Sequence, residues 1–382
     1  MLTERLVNAR PGDVIDIPEG VFAFDRPLAL TVDGLTLRGQ GADRTILSFQ
    51  DQVMGEEGLL VTARNITLEN LAIEDPIGDG VSISQSENVV IRGLRVEWTD
   101  GPDADNGAYG IAPIGSTNVL VEDSIAIGAA AAGIHVGQSH NVVIRRNRAE
   151  RNRVGIQIEN TTDCDLYENV ATGNSGGILV TASPAQPASI GSTRIFDNHV
   201  FDNNFESFGR TDTAAARLPT GSGIALQASD QVEIFGNVIA DHRSANMIIA
   251  ALTEAGQPIL DVGAGFDPYP ETLHVHDNDF RGGGLNPDGL ELQVLRLVIA
   301  GPLGRMPDIL WDGYLDPAKL VDGQMPDSLR ICIDNGTADI VDADPQGGRA
   351  SPRIVTDAHR CTHPPLPAIH LDFATPAGVG TD

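Results

Sequence analysis

A glycine followed by an alternating apolar pair returns through the middle of this chain. It stands at Gly80-Val81-Ser82-Ile83, Gly110-Ile111-Ala112-Pro113, Gly133-Ile134-His135-Val136, Gly155-Ile156-Gln157-Ile158, Gly177-Ile178-Leu179-Val180 and Gly223-Ile224-Ala225-Leu226. The steps from Gly133 to Gly155 and from Gly155 to Gly177 are both 22 residues. That is the period of a solenoid with one coil per repeat, and too short for helical repeats of more than about 30 residues. A second alternating run follows inside each unit, as in Asn88-Val89-Val90-Ile91, Asn118-Val119-Leu120-Val121 and Asn141-Val142-Val143-Ile144. Period-2 alternation rich in Val and Ile marks strands with one buried face, and several per coil leave no room for helices.

The expected fold is all-β: a single-stranded right-handed parallel β-helix of three-strand coils, each of about 22–23 residues. Asn65, Asn88, Asn118 and Asn141 share one turn register, with Cys164 in the next slot, and Asn147, Asn169, Asn198, Asn237 and Asn278 share another. Asn accepts the left-handed conformation of a sharp corner, and stacked amides can hydrogen-bond along the axis. Both registers read as structural. Departures from the period place insertions at 99–106, 181–191 and 204–221, which in solenoids collect on one side and build groove walls. An amphipathic stretch from Leu2 to Ala9 predicts a short helix closing the first coil. The Gly-Ile pattern fades near residue 285, so the solenoid is expected over 1–285 and an irregular C-terminal cap packed on it over 286–382.

Aromatics make up only 4 % of the chain against 42 glycines, which favours a narrow aliphatic interior. The 25 Lys and Arg face 53 Asp and Glu, a formal net charge of −28, which repels nucleic acid and anionic membranes. A polyanionic glycan is disfavoured too, unless bound cations or a basic stripe offset the field. Arg145, Arg146, Arg148, Arg151 and Arg153 form such a stripe, although solvated turns between strands are the plainer reading. No stretch reaches the roughly 18 apolar residues of a membrane span, and the N-terminus lacks a signal-peptide pattern. Cys332 and Cys361 flank a polar stretch that a disulfide would tie down, while Cys164 reads as a buried inert thiol. A disulfide implies an oxidising compartment. The expectation is therefore a monomer exported to the periplasm or the medium, its export signal left out of this sequence.

These repeats resemble the pectate lyase-like superfamily of right-handed β-helices. More narrowly, the chain resembles a family of exported bacterial parallel β-helix repeat proteins. The matching segments are Arg10-Pro11-Gly12-Asp13, Glu57-Gly58-Leu59-Leu60-Val61, Asn106-Gly107-Ala108-Tyr109-Gly110, Gly137-Gln138-Ser139, Asp308-Ile309-Leu310-Trp311-Asp312-Gly313, and Cys361 with Pro364-Pro365-Leu366-Pro367. The resemblance implies polysaccharide lyases, epimerases or hydrolases with a site on one sheet along the solenoid. Lyases and epimerases need a base, a cation that neutralises the sugar carboxylate, and an acid, whereas hydrolases use paired carboxylates. Relatives are expected to carry Tyr near Ala112, Asp near Ala131, Tyr at His135, Glu at Gln157 and Phe-Asp near Thr181 and Ala182, so this groove looks emptied of carboxylates.

On the Gly-Ile strands the outward column runs Ser82, Ala112, His135, Gln157, Leu179, Ala225, and two residues further come Ser84, Ile114, Gly137, Glu159, Thr181 and Gln227. Rungs lie about 4.8 Å apart, so His135 and Gln157 are expected to be neighbours. His135, with Gln157 and Glu159 beside it, is the catalytic candidate; the plainer reading is a surface histidine among small residues. Tyr109, Ala112, Ala131, Leu179, Thr181, Ala225 and Gln227 are the expected contacts to a glycan or small-molecule ligand along the 99–227 face. No cofactor is expected. Ca²⁺ at Asp100, Asp103 and Asp105 is a weaker alternative to a solvated acidic turn. Two functions stay open: a carbohydrate-active β-helix, or a non-catalytic exported scaffold whose reshaped groove takes a small ligand.

Overall fold

A computed structural model of the chain describes residues 2–184, 191–209, 213–254, 257–258, 266–344, 351–371 and 373. Parts of two insertions named above, 185–190 and 210–212, lie outside the described residues. The strands stack into three sheets of 11, 10 and 12 strands, parallel except for the last strand of the third, Arg353–Ile354, and the chain visits them in turn on each coil up to Ile309–Trp311. The first sheet begins with Val14–Asp16, the second with Gly20–Ala23 and the third with Leu28–Leu30. The Gly-Ile strands are the third sheet.

One aliphatic core runs the length of the solenoid. Ile134, Ile156, Ile178, Ile224 and Met247 form its third-sheet file, with Val121, Ile144, Leu166 and Ile234 from the first sheet and Val96, Ala126, Ala149 and Val200 from the second. These files are filled mostly by Ile, Val and Leu, with small Ala on the second sheet. The repeating glycine has a steric cause: at the corner entering the third sheet, a Cβ on Gly177 would sit 2.5 Å from Val200 Cγ1 and 2.6 Å from the Gly223 carbonyl.

The Asn registers are hydrogen-bonded ladders. Asn88 Nδ2 donates to Asn65 Oδ1 at 2.7 Å and Asn118 Nδ2 to Asn88 Oδ1 at 2.9 Å, with φ of 56°, 57° and 55° at Asn65, Asn88 and Asn118. The residue that continues this register is Asp163, not Cys164. Val142 pairs with Cys164, which sends the thiol into the core and leaves Asp163 at φ 53° opposite Asn141. The second ladder, from Asn147 through Asn169, Asn198 and Asn237 to Asn278, is buried, each Nδ2 donating to the next Oδ1 at 2.8–3.0 Å. Its left-handed residues are the preceding ones, Arg146, Glu168, Asp197, Gly236 and Asp277. A third ladder not foreseen in the sequence runs Asn152, Asn174, Asn203 and ends on His242.

Leu2–Val7 is helical and buries Leu6 at the open first coil. At the other end the sheets do not stop at residue 285. Ile309–Trp311 pairs with the third-sheet strand Ala245–Ala250, Ile331–Asp334 extends the first sheet from Glu271–His276, and Ile340–Asp342 adds another rung to the third sheet. These rungs are three or four residues long and separated by long insertions, so no period announces them. One insertion carries a 12-residue helix, Gly289–Ala300, ended by Gly301 at φ 73°. The Cys332–Cys361 disulfide is formed, and Cys164 is buried and free.

The insertions fall at two corners of the coil, so they frame one sheet. Segments 98–108, 202–221 and 282–308 lie where the second sheet turns into the third; 182–192, 251–270 and 312–330 lie where the third turns into the first. The described residues of both sets border the outer face of the third sheet.

Candidate functional site

The third-sheet register is the one expected from the repeat. His135 pairs with Gln157, Gln157 with Leu179, Leu179 with Ala225 and Ala225 with Ile248; one step along, Glu159, Thr181, Gln227 and Ala250 form the parallel file. The burial of this face differs from the expectation. His135 is 4 % exposed and Gln157 1 %, and Ala112 and Ala131 are fully buried, so His135 is not a surface histidine. The Tyr109 ring stacks on it with centroids 4.1 Å apart and planes within 14°. Burial lowers the His135 pKa to about 4, leaving the imidazole neutral at pH 7. Among the described residues His135 Nδ1 and Gln157 Oε1 have no hydrogen-bond partner, while Gln157 Nε2 donates to Glu159 Oε2 at 2.9 Å. Burial also raises the Glu159 carboxyl, opposed by its bonds to Gln157 and Ser183.

Gly209 and Leu218, from the wall, pack down on the entry end of these strands. Arg153, 2 % exposed, donates to the Leu218 carbonyl at 2.7 Å, and burial lowers its pKa. The rest of the arginine stripe is dispersed: Arg145 and Arg146 pair with Glu122, Arg146 also with Asp123, and Arg148 with Glu150. Asp103 Oδ1 accepts the Asp105 amide at 2.9 Å, a local turn, and no metal-sized cluster of the described residues includes either one.

Two cavities open on either side of the Thr181–Gln227 pair, whose Oγ1 and Oε1 lie 3.4 Å apart. The larger, about 580 Å³, lies over the third sheet. Leu179, Ala225, Ile248 and Leu310 form its floor, and Leu218, Leu295 and Val298 face them from the wall and from helix Gly289–Ala300. Its polar groups, Arg217, Gln227, Glu291 and Asp312, are few. The smaller, about 310 Å³, lies at the third-to-first corner and is lined by Asn160, Thr161, Thr181, Asp230, Asp267, Glu271 and Lys319.

The second cavity holds the strongest ionisable cluster beside the groove. Burial first, then the like charges of Asp267 and Glu271, raise the Asp230 carboxyl to about 7. The Lys319 ammonium sits among Asp267, Glu271 at 2.7 Å and Asp316 at 3.8 Å. These carboxylates outweigh burial and hold its pKa above the ordinary lysine range. A lysine thus fills a trio of carboxylates whose spacing would suit a cation. Four carboxyl groups against one ammonium leave the cavity acidic.

The sequence placed Tyr109, His135, Gln157, Glu159, Leu179, Thr181, Ala225 and Gln227 along one face, and the fold keeps them there. Of these, Leu179, Ala225, Thr181 and Gln227 line the two cavities. Asp230, Asp267, Glu271, Lys319 and the helix were missed. The available signal was Asp230 three residues beyond Gln227, together with the long gaps between later rungs, which mark further wall insertions.

The model for the "Right handed beta helix region" family matches residues 57–239. No curated protein matches the chain in sequence. Among solved structures, the A-module of the mannuronan C-5 epimerase AlgE4 from Azotobacter vinelandii is similar at 15 % identity and a TM-score of 0.50, covering 85 % of this chain and 86 % of that one. DFA-IIIase from Arthrobacter chlorophenolicus A6 is similar at 10 % identity and a TM-score of 0.51, covering 79 % and 81 %. A polygalacturonase from Erwinia carotovora ssp. carotovora gives 10 % identity and 0.50, covering 74 % and 89 %. With one sequence match through the repeats and a shared architecture over most of its length, the chain is a right-handed parallel β-helix protein.

Proposed function

We propose that this protein is a carbohydrate-active β-helix that takes a neutral saccharide at the third-to-first edge of its groove, with Asp230 as proton donor. The observation that carries this reading is a carboxyl group titrating near 7 inside a walled cavity of about 310 Å³, beside the carboxylates of Asp267 and Glu271. A carboxylic acid kept protonated near neutrality can protonate a leaving glycosidic oxygen, and neighbouring carboxylates stabilise the positive charge that builds on the sugar ring. The solved neighbours include an epimerase and a polygalacturonase, whose names point to carbohydrate chemistry. A uronate is the poorer fit. Its carboxylate needs a cation, Lys319 is already engaged by three carboxylates, and Arg145, Arg146 and Arg148 are paired with Glu122, Asp123 and Glu150. His135 and Gln157 lie deeper under the wall and serve this reading as groove structure, while Glu159 remains a second carboxyl at its edge.

The test is incubation with a panel of neutral glycans, pectin and alginate, followed by assays for new reducing ends and for unsaturated products. Reducing ends from a neutral glycan are expected, falling by about 10²-fold or more in Asp230→Asn, the scale of a general acid. Unsaturated uronate products, or unchanged turnover in that variant, would overturn the assignment.

The larger cavity favours a second reading, a binding scaffold for a small apolar ligand. Its floor of Leu179, Ala225, Ile248 and Leu310 offers area for burial and few polar anchors. An apolar fluorescent probe that binds with unit stoichiometry and is displaced by no saccharide would support this reading over the first.

A further inference from the structure

A different face of the solenoid carries a cluster that the groove does not use. Glu233 lies on the first-sheet strand Asp230–Phe235, and His274 and His276 on the next rung, Glu271–His276, with Glu233 directly opposite His274. Residues i and i+2 of a strand point to the same side. One ligand-capable atom of each of the three lies within 4.8 Å of the others. His274 is 8 % exposed, and among the described residues neither of its ring nitrogens has a hydrogen-bond partner. Buried polar atoms left unmatched lose their water without a replacement partner, so such groups call for an occupant.

The other two side chains are already oriented as metal ligands are. His276 Nδ1 bonds Asp277 Oδ2 at 2.8 Å, which turns Nε2 toward Glu233 Oε1 at 3.2 Å. Glu233 Oε2 in turn accepts the Leu366 amide at 2.9 Å. A carboxylate behind an imidazole and a backbone donor behind a carboxylate are the outer supports that fix ligands around an ion. His363 stands edge-on to His274 with centroids 6.2 Å apart, but its Nε2 is taken by the Arg330 carbonyl at 2.9 Å.

We propose that Glu233, His274 and His276 form a binding site for one divalent transition-metal ion of the Zn²⁺ class. Two imidazoles and a carboxylate are a donor set for Zn²⁺, Ni²⁺ or Cu²⁺ and a poor one for Ca²⁺ or Mg²⁺, which prefer oxygen alone. Entering between His276 Nε2 and Glu233 Oε1, the ion replaces that contact and gives His274 its missing partner. Three protein ligands leave a fourth position for water. The site lies under the C-terminal segment, where Leu366 and Ile369 donate backbone amides to Glu233 and Asp165 and the Cys332–Cys361 disulfide joins the neighbouring rung to the same segment. The ion thereby helps fasten this segment to the first sheet.

The experiment uses the full chain without a polyhistidine tag, stripped with chelator and titrated with Zn²⁺ by calorimetry, then with Co²⁺ by visible absorption. One equivalent of Zn²⁺ should bind, and Co²⁺ should give the intense bands of a four- or five-coordinate site. His274→Ala and His276→Ala should each weaken binding by at least about 100-fold, the upper end of what losing only an outer support costs. Glu233→Gln, close in size, repeats the test with less risk to packing, and far-ultraviolet circular dichroism checks that each variant is folded. His370→Ala, at an exposed position, should bind as the native chain does. Absence of Zn²⁺ binding up to about 1 mM, where binding energy falls to about 4 kcal/mol, would overturn the proposal. So would undiminished binding in the folded His274 and Glu233 variants.

Discussion

Asp230 sits where a third-sheet strand turns into the first sheet, and burial there, reinforced by Asp267 and Glu271, lifts its carboxyl to about 7. In the unfolded chain the same group titrates at about 3.9. Between those values the folded protein holds a proton that the unfolded chain has lost, so stability from this group falls as pH rises from about 4 to about 7 and stays low above. At about 1.4 kcal/mol per unit the full difference is at most about 4 kcal/mol, less where solvent reaches the site. Asp230→Asn removes the ionisation. Calorimetry between pH 4 and 9 should find the native melting temperature declining relative to the variant's through that window, and parallel curves would refute the raised carboxyl. Gly177 tests the corner sterics in the same way. Its Cβ would meet Val200 Cγ1 at 2.5 Å and the Gly223 carbonyl at 2.6 Å, so Gly177→Ala should lose about 1–3 kcal/mol in urea unfolding, the usual cost of overpacking. That glycine was legible in the sequence as a period, because every coil repeats the same close approach. The burial of His135 was not, since alternation tells which way a side chain points and nothing of what lies on top of it.

At the scale of elements, the strands of coils 57–239 were readable because those of the first and third sheets put Val, Ile or Leu inward at alternate positions. Helix Gly289–Ala300 was hidden for the opposite reason. Its apolar residues surround it: Leu295 is buried, while Leu290, Val294, Leu297 and Val298 are 45–76 % exposed, so no clean stripe of period 3.6 stands out. The short rungs Ile309–Trp311 and Ile340–Asp342 are buried at every position, and a run buried on both faces loses the alternation that identifies a strand. These late elements complete the larger cavity, which is why the sequence located the groove but not its roof. The helix and the third-sheet floor can be separated from the acidic cavity by one substitution. Ala225 lies on the floor of the 580 Å³ space and does not line the smaller one. Ala225→Phe should abolish binding of an apolar probe while leaving Asp230-dependent turnover within about threefold, a difference of less than 1 kcal/mol. Equal loss of both would mean that the two cavities act as one site.

Across the whole molecule, each coil rests on its two neighbours, so the groove is a long surface whose chemistry varies from rung to rung while the core beneath stays constant. The field around it is set by the entire chain. A formal charge of −28 surrounds a site that itself holds four carboxyl groups and one lysine. A neutral saccharide gains and loses nothing from that field, whereas a polyuronate must bring its own negative charges into it. Salt screens such interactions over about 10 Å at 0.1 M and about 3 Å at 1 M. If the ligand is neutral, its dissociation constant should stay within about twofold between 0.05 and 1 M NaCl, because only screened charge terms change over that range. An anionic oligosaccharide of the same length should bind too weakly to measure at 0.05 M and gain affinity as salt is added. Calorimetric titration of matched neutral and uronate oligosaccharides at the two ionic strengths decides the matter. Tight, salt-weakened binding of the uronate would mean that cations unseen in the side-chain balance dominate the groove, and would return the protein to the uronate chemistry of lyases and epimerases.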